Sequence, residues 1–172
     1  MKVIVIGPRG KMGKLITQVA AERDDMELVA GVAPAGRDYV GQDLGMVALI
    51  GRNLGVPVVD DLAAVIDDCD VIIDFSTREN ALKVLDLAVK HGKALVCGTT
   101  GFSEEEFGRF KEAAKTIPML YAANTSKLVN IMNKLLEMVT KTLGEDADIE
   151  ILEMHDQWKK DAPSGTSKEM GE

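Results

Sequence analysis

Residues 153–166 hold the densest group of side chains that could do chemistry. His155 and Lys159 lie four positions apart in a stretch without regular periodicity, and either side chain can donate a proton to a substrate. Residues 164–166 are small or polar and predict a helix start, where free N–H groups suit a carboxylate. The segment therefore predicts a site that binds and protonates a small anion. The alternative is that His155 and Lys159 are solvated surface residues beside two aspartates.

A second group of candidate residues lies near the amino terminus. Gly7, Gly10 and Gly13 follow the apolar run 3–6 at intervals of three residues. Glycine lets the backbone turn tightly and approach a diphosphate that rests on the N-terminus of the next helix. The spacing differs from the commoner GxGxxG, but its position predicts a dinucleotide-binding turn. A plain strand-to-helix turn is the alternative.

These two groups need a scaffold, and the alternation of short apolar runs with helical patterns predicts one. It is typical of a parallel sheet with helices on both faces, so we predict a doubly wound, Rossmann-like α/β fold. The apolar runs lie at residues 3–6, 28–32, 56–59, 71–73, 94–97 and 119–123. The clearest helical patterns lie at residues 12–20, 78–90 and 104–115, the last preceded by a capping box of Ser103 and Glu106.

Polar loops follow two of the predicted strands, at residues 74–77 and 98–102. Ligands of open parallel sheets bind beyond the carboxyl ends of the strands, so both loops are expected on the cofactor side. Helix capping is the alternative for Asp74 and Thr77.

The loop after the second predicted strand leaves the cofactor type open. NAD enzymes usually carry an acidic residue there, which accepts the ribose hydroxyls, and residues 32–34 contain none. Arg37 and Asp38 follow closely, so the 2'-position could meet a cation, an anion or neither. NADH and NADPH both remain candidates.

The pattern changes after about residue 128. Residues 128–143 have helical spacing and end at Gly144, and residues 148–156 then alternate acidic and aliphatic side chains, which predicts a strand with one buried face. We predict a dinucleotide-binding domain at residues 1–128. Residues 129–172 are predicted to be the incomplete start of an α+β domain for substrate binding and oligomerisation.

A capping box of Thr166 and Glu169 predicts a last helix, yet few residues follow it. The predicted strand also lacks sheet partners in the sequence. We therefore expect either a fragment or a short relative whose sheet is completed by another copy of the chain.

Composition excludes several classes of protein. The 172 residues suit one domain, or one domain with part of another. Twenty Lys and Arg against 28 Asp and Glu give a net charge of -8, which disfavours nucleic acid and anionic membranes as partners. Two cysteines are too few for a disulfide framework, and no run approaches the ~20 apolar residues of a membrane span. We expect a cytoplasmic protein, and no metal site is predicted.

Five motifs, in this order and spacing, resemble those of the 4-hydroxy-tetrahydrodipicolinate reductases, also called dihydrodipicolinate reductases. The resemblance covers the whole chain, and its last motif is the most specific. The motifs are GPRGKMG at 7–13, DFS at 74–76, GTTGF at 98–102, ANTSKLVN at 123–130 and HDQWKKDAPSGT at 155–166.

The resemblance implies a reaction and a role for each motif. A nicotinamide cofactor, NADH or NADPH, would deliver hydride to a cyclic unsaturated dicarboxylate on the route to lysine and diaminopimelate. His155 matches the general acid and Lys159 the second catalytic residue, and the family implies a homo-oligomer, either a dimer or a tetramer. The substrate-binding positions are Asp156, Ser164, Gly165 and Thr166. The cofactor-binding positions are Gly7, Arg9, Gly10, Lys11, Met12, Gly13, Asp74, Ser76, Gly98, Thr99, Thr100, Ala122, Ala123, Asn124 and Thr125.

Two positions depart from the family pattern. Asp156 replaces a second histidine, and its charge would repel a substrate carboxylate. Leu128 replaces a glycine. Two alternatives therefore stay open: a related oxidoreductase for a different imine or amine, whose cationic group pairs with Asp156, and a non-catalytic nucleotide-binding relative.

Overall fold

The computed structural model describes residues 1–157 and 162–171. The chain divides into two compact units, Met1–Tyr121 and Ala122–Glu172. The domain boundary expected between residues 128 and 129 stays a prediction.

The first unit is built on a six-stranded sheet in which every pairing between neighbouring strands is parallel. Its order, β3-β2-β1-β4-β5-β6, confirms the predicted doubly wound fold. Ile6 at the end of β1 lies opposite both Val32 of β2 and Asp74 of β4, so the loop after β1 lies where the strand order reverses. The strands are β1 (Lys2–Ile6), β2 (Glu27–Val32), β3 (Val58–Val59), β4 (Val71–Asp74), β5 (Ala94–Cys97) and β6 (Met119–Tyr121).

The helices that cover this sheet confirm the helical patterns of the sequence. Gly92 ends the second long helix in the left-handed conformation, with φ 65°. Ser103 and Glu106 form the predicted capping box. The helices of this unit are α1 (Lys11–Ala21), α2 (Leu44–Val47), α3 (Arg78–His91) and α4 (Glu104–Ala113).

Strand β1 shows why the sheet needs cover on both faces. Val3 and Val5 are fully buried and pack with Ile16 of α1, whereas Ile4 belongs to the cluster that includes Leu85 of α3. Successive side chains of a strand point to opposite faces of the sheet. Because both faces of β1 are covered, every residue in the run 3–6 is buried and must be apolar.

Asp43 ties α2 to the loop that follows it. Its carboxylate accepts hydrogen bonds from the N–H groups of Gly45, Leu54 and Gly55 at 2.8, 2.9 and 2.8 Å. Desolvation acts to raise the pKa of this carboxyl, but the backbone hydrogen bonds outweigh it and hold the pKa below its usual range. Asp43 therefore caps the N-terminus of α2 and also holds the following loop through hydrogen bonds to its backbone.

Asp43→Ala is expected to lower the free energy of unfolding by about 2–3 kcal/mol, since it removes a helix cap and leaves two further N–H groups unpaired. Urea unfolding measures the change. Asp61→Ala is the matched control, because Asp61 accepts one backbone hydrogen bond, from Ala63, and should cost less than about 1 kcal/mol. Equal losses of unfolding free energy in the two variants would contradict this double role of Asp43.

The second unit contains α5 (Lys127–Leu143) and α6 (Gly165–Gly171). Helix α5 was predicted, and Gly144 ends it as expected. None of its residues is buried, and its apolar side is exposed. Within the described part of the chain, no helix is long and apolar enough to cross a membrane.

Two predictions for this unit are wrong. Residues 148–156 form no strand: both alternating sets of side chains are exposed, with Ile151 at 44% and Leu152 at 91%. An alternating pattern becomes a strand only when a neighbouring strand pairs with its backbone, and the described residues of this unit supply none. Thr166 lies inside α6 rather than capping it. The Ser164 hydroxyl instead accepts the Ser167 N–H at 3.1 Å.

Candidate functional site

A cleft of about 650 Å³ opens at the carboxyl ends of β1, β2 and β4. Its walls come from the loops that follow these strands, from the loop after β3 and from α3. The sheet topology explains the cleft, because connections on either side of the switch point diverge to opposite faces. Among its lining residues are Gly7, Gly10, Arg37, Ser76, Asn80 and Lys83.

The predicted glycine turn lines the cleft directly before the start of α1. Gly7 has φ 67°, a conformation that side chains disfavour, and its carbonyl accepts the Gly10 N–H at 2.9 Å. A Cβ on Gly13 would lie 2.1 Å from the Gly7 carbonyl oxygen. Helix α1 therefore packs against the turn at a distance that only glycine allows.

The start of α1 is open to an anion. Gly10 occupies the N-cap and makes no side-chain cap, and the first turn carries no acidic residue. The first-turn N–H groups of a helix have no partners within the helix, and they favour a negative group. The glycine turn and the open helix start fit the diphosphate of a dinucleotide.

Three more residues of this motif lie at the surface. Arg9 makes an ion pair with Asp38 at 2.8 Å, and its guanidinium lies 5.0 Å from the centre of the Tyr39 ring. Lys11 and Met12 are exposed in the first turn of α1. Arg9 is thus held at the rim between the loops after β1 and β2, and cofactor contacts of all three stay predictions.

Asp74, Ser76 and Thr99 are brought together where β4 and β5 end. The Ser76 N–H donates to Asp74 Oδ1 at 3.0 Å and to Thr99 Oγ1 at 3.1 Å. Asp74 is fully buried, and its Oδ2 has no hydrogen-bond partner in the described part of the chain. Burial raises the pKa of this carboxyl, although hydrogen bonds with Ser76 oppose the shift. The two predicted loops are therefore joined through a buried carboxyl group.

Gly98 brings the same two loops into contact. Its N–H donates to the Asp74 carbonyl at 2.9 Å, and a Cβ added to it would lie 2.0 Å from the Phe75 ring. Thr100 follows in the same loop and is half-buried. The GTTGF motif thus has a packing role, which the sequence did not reveal, beside its predicted cofactor role.

The cleft also includes residues that sequence reasoning missed. Asn80 and Lys83 line it from α3, and the Asn80 amide donates to the Ser76 hydroxyl at 3.0 Å. Helix α3 follows β4 directly, so its first turns must lie beside the switch point. That placement was the signal that could have identified both residues.

In the second unit, Asn124 joins a predicted cofactor segment to the predicted substrate clamp. Its side-chain amide donates to the Thr166 hydroxyl at 2.9 Å, and its side-chain oxygen accepts the Ser126 N–H at 2.8 Å. Thr166 lies in the first turn of α6, after Gly165. Ala122, Ala123 and Thr125 flank Asn124 before α5, and their cofactor contacts stay predictions.

Glu153 holds the predicted proton donor. His155 Nε2 lies 2.9 Å from Glu153 Oε2, which also accepts the Ser167 hydroxyl proton. Glu153 Oε1 accepts the Ser164 N–H at 2.8 Å. Hydrogen bonds with Ser164, Ser167 and His155 hold the pKa of Glu153 far below its usual range. Neither Glu153 nor Ser167 was predicted, although a carboxylate two residues before the histidine was a possible signal.

For the other predicted residues of the segment 153–166, the structure gives mainly their exposure to solvent. The His155 ring is 37% exposed, Asp156 is exposed and Ser164 is buried. Lys159 lies outside the described residues. Throughout residues 1–157 and 162–171, no group of three or more His, Cys, Asp or Glu side chains could hold a metal ion.

Comparison with known families covers nearly the whole chain. Residues 1–125 match the family described as dihydrodipicolinate reductase, N-terminus, and residues 128–172 match dihydrodipicolinate reductase, C-terminus. Among individual proteins, the 4-hydroxy-tetrahydrodipicolinate reductase of Hahella chejuensis is 44% identical over 99% of this chain, and that of Geobacter metallireducens is 46% identical over 100%. The chain spans 64% of the length of each of these relatives.

Two solved structures resemble the chain, one of them from the same family. A dihydrodipicolinate reductase from Paenisporosarcina sp. TG-14, with dipicolinate bound, superimposes with a TM-score of 0.75 at 29% identity, covering 99% of this chain and 63% of the other. Biliverdin reductase from Synechocystis has a TM-score of 0.61 at 12% identity over 86% of this chain and 44% of its own, which shows the fold alone. With both family regions matched in order, the chain belongs to the dihydrodipicolinate reductase family.

Proposed function

We propose that the protein reduces 4-hydroxy-tetrahydrodipicolinate with NADH or NADPH, in the biosynthesis of lysine and diaminopimelate. One observation carries this proposal: nearly the whole chain matches relatives named for that reaction, although it spans 64% of their length. The relative from Paenisporosarcina binds dipicolinate, a planar cyclic dicarboxylate, which supports the same substrate class.

The residues on each unit suit a separate part of the reaction. A nicotinamide cofactor supplies hydride when bound, and the glycine turn with the open start of α1 would hold its diphosphate. His155, assisted by Lys159, would protonate the substrate. Residues 164–166 would hold its carboxylate, with Thr166 oriented by Asn124 at 2.9 Å.

A kinetic assay tests the proposal. Purified protein is mixed with NADH or NADPH and freshly prepared 4-hydroxy-tetrahydrodipicolinate, and oxidation of the cofactor is followed by its absorbance. We expect steady, substrate-dependent oxidation with at least one cofactor. Cofactor binding without oxidation of any imine would instead support a non-catalytic relative, and failure to bind either cofactor would contradict the whole proposal.

Asp156 favours one second candidate. An exposed carboxylate next to the proton donor suits a cyclic imine or amine with a cationic group better than a second carboxylate. Faster turnover of such a substrate than of 4-hydroxy-tetrahydrodipicolinate in the same assay would favour this candidate.

Arg37 is the residue expected to decide between the two cofactors. It lines the cleft after β2, where no acidic residue ends the strand. Arg37→Ala should raise KM for NADPH about tenfold more than KM for NADH, because hydrogen bonds between a guanidinium and the 2'-phosphate contribute about 1.5–3 kcal/mol. Arg23→Ala is the control and should leave both KM values unchanged, because the Arg23 guanidinium is engaged by two hydrogen bonds to Asp25. Equal changes in both KM values would contradict this role.

Assembly and location complete the proposal. The exposed apolar side of α5 supports a homo-oligomer, a dimer or a tetramer, which light scattering measures. Cys69 and Cys97 are both buried free thiols, and burial raises the pKa of Cys97 to about 11. Thiols that form no disulfide suit the reducing cytoplasm, which is the location that we propose.

A further inference from the structure

We infer that Glu153 is a positioning residue of the reaction centre, which orients the His155 ring and links it to the turn that begins α6. This inference rests on the proposed function, because it concerns how His155 is prepared to protonate a substrate. It adds a residue to the reaction centre and assigns it a role that neither the motifs nor the family match supplies.

The first support is the way in which the two oxygens of one carboxylate are shared. Oε2 accepts from both His155 Nε2, at 2.9 Å, and the Ser167 hydroxyl, and Oε1 accepts the Ser164 N–H at 2.8 Å. The ring of His155 is thus joined by a single side chain to positions on both sides of Gly165 and Thr166. A change in the position of this carboxylate would move the proton donor and the predicted clamp together.

The contact with Glu153 also selects which nitrogen of the neutral His155 ring carries the proton. An ionised carboxylate only accepts hydrogen bonds, so the neutral His155 ring must carry its proton on Nε2. Nδ1 has no hydrogen bond to any described residue. Nδ1 is then the ring nitrogen that we expect to transfer the proton to a substrate, while the Nε2 contact holds the plane of the ring.

The third support is the contrast with the chain's other histidine. His91 Nδ1 contacts Asp67 at 2.9 Å at the end of α3, and neither residue belongs to a predicted motif. In the described part of the chain, the Asp67 carboxylate accepts a hydrogen bond from no helix start, whereas the Glu153 carboxylate joins three partners. The Glu153 contact is therefore suited to hold a reacting group, and the Asp67 contact serves as an internal reference.

The test that does not depend on activity uses the protein labelled with ¹⁵N in its two histidines. His91→Gln assigns the signals. Glu153→Gln should move the His155 Nε2 signal and leave His91 unchanged, because it replaces a charged acceptor with a neutral amide of the same shape. Glu150→Gln, an exposed carboxylate three residues earlier, should move neither signal. An unchanged His155 signal in Glu153→Gln would overturn the inference, whatever the protein's activity.

The kinetic test separates orientation from stability. Glu153→Gln should lower kcat about 10–100-fold and leave KM for the cofactor unchanged. This loss of kcat is smaller than the loss expected when His155 itself is removed. In a His155→Ala background the same change should have no further effect on kcat, because Glu153 acts on proton transfer through His155, whereas a shift of the turn that begins α6 would change KM for the substrate. A full additional loss in that background would show a merely structural role and overturn the inference. If the unmodified protein reduces no substrate, the proposed function fails, and the ¹⁵N test still decides the inference.

Discussion

His155→Ala is expected to lower kcat for imine reduction by roughly 100- to 10,000-fold, the usual contribution of a positioned proton donor. Affinity for NADH or NADPH should stay within about twofold of the unmodified protein, because the glycine turn that is expected to hold the diphosphate belongs to the first unit. Steady-state kinetics measures the first quantity, and fluorescence titration of the bound cofactor measures the second.

Lys159→Ala and His91→Ala complete this experiment. Lys159 is the predicted partner of His155, so its loss should also lower kcat strongly without weakening cofactor binding. His91 contacts Asp67 at the end of α3, and its replacement should leave kcat unchanged. Unmodified kcat in both the His155 and the Lys159 variant would refute the assignment of the reaction centre.

Gly13→Ala is expected to damage both the fold and cofactor binding. The new Cβ would lie 2.1 Å from the Gly7 carbonyl oxygen and 2.9 Å from Pro8 Cα, so α1 and the turn must separate. Overpacking of this kind costs about 1–3 kcal/mol of unfolding free energy, and backbone atoms cannot rotate away as side chains do. Urea unfolding measures the loss.

The same separation should weaken cofactor binding at least about tenfold, since it moves the N–H groups that face the diphosphate. Gly108→Ala is the control, because Gly108 lies inside α4 with no atom within 4 Å of the added carbon. That variant should be stabilised by about 0.5–1 kcal/mol, since alanine favours the helix, and should bind cofactor normally. A Gly13→Ala protein with unmodified stability and affinity would contradict the close packing described above.

Most of the first unit could be predicted from the sequence because its signals are local. The apolar run 3–6 and the helical spacing of residues 78–90 correspond to β1 and α3, and the cap of α4 is formed by Ser103 and Glu106 as predicted. Each of these signals depends on residues within a turn or two of one another. Parallel pairing then follows from the alternation of strands and helices.

The second unit was predicted less well because its signals depend on distant partners. The alternating pattern at 148–156 indicated a strand, but pairing requires a neighbour that the described residues do not provide. The start of α6 shifted to Gly165 because Ser164, rather than Thr166, caps it. The exposed apolar side of α5 likewise depends on what packs against it.

The sequence by itself determined the class of fold and the glycine turn, because residue type and spacing along the chain are sufficient for each, and its family motifs indicated the candidate proton donor. Only the tertiary structure decided which groups those residues contact. The pairing of Ser76 with Thr99 spans 23 positions, and the contact of Glu153 with Ser167 spans 14. Hydrogen bonds form between groups that folding brings within about 3 Å, and no periodicity in the sequence encodes that distance.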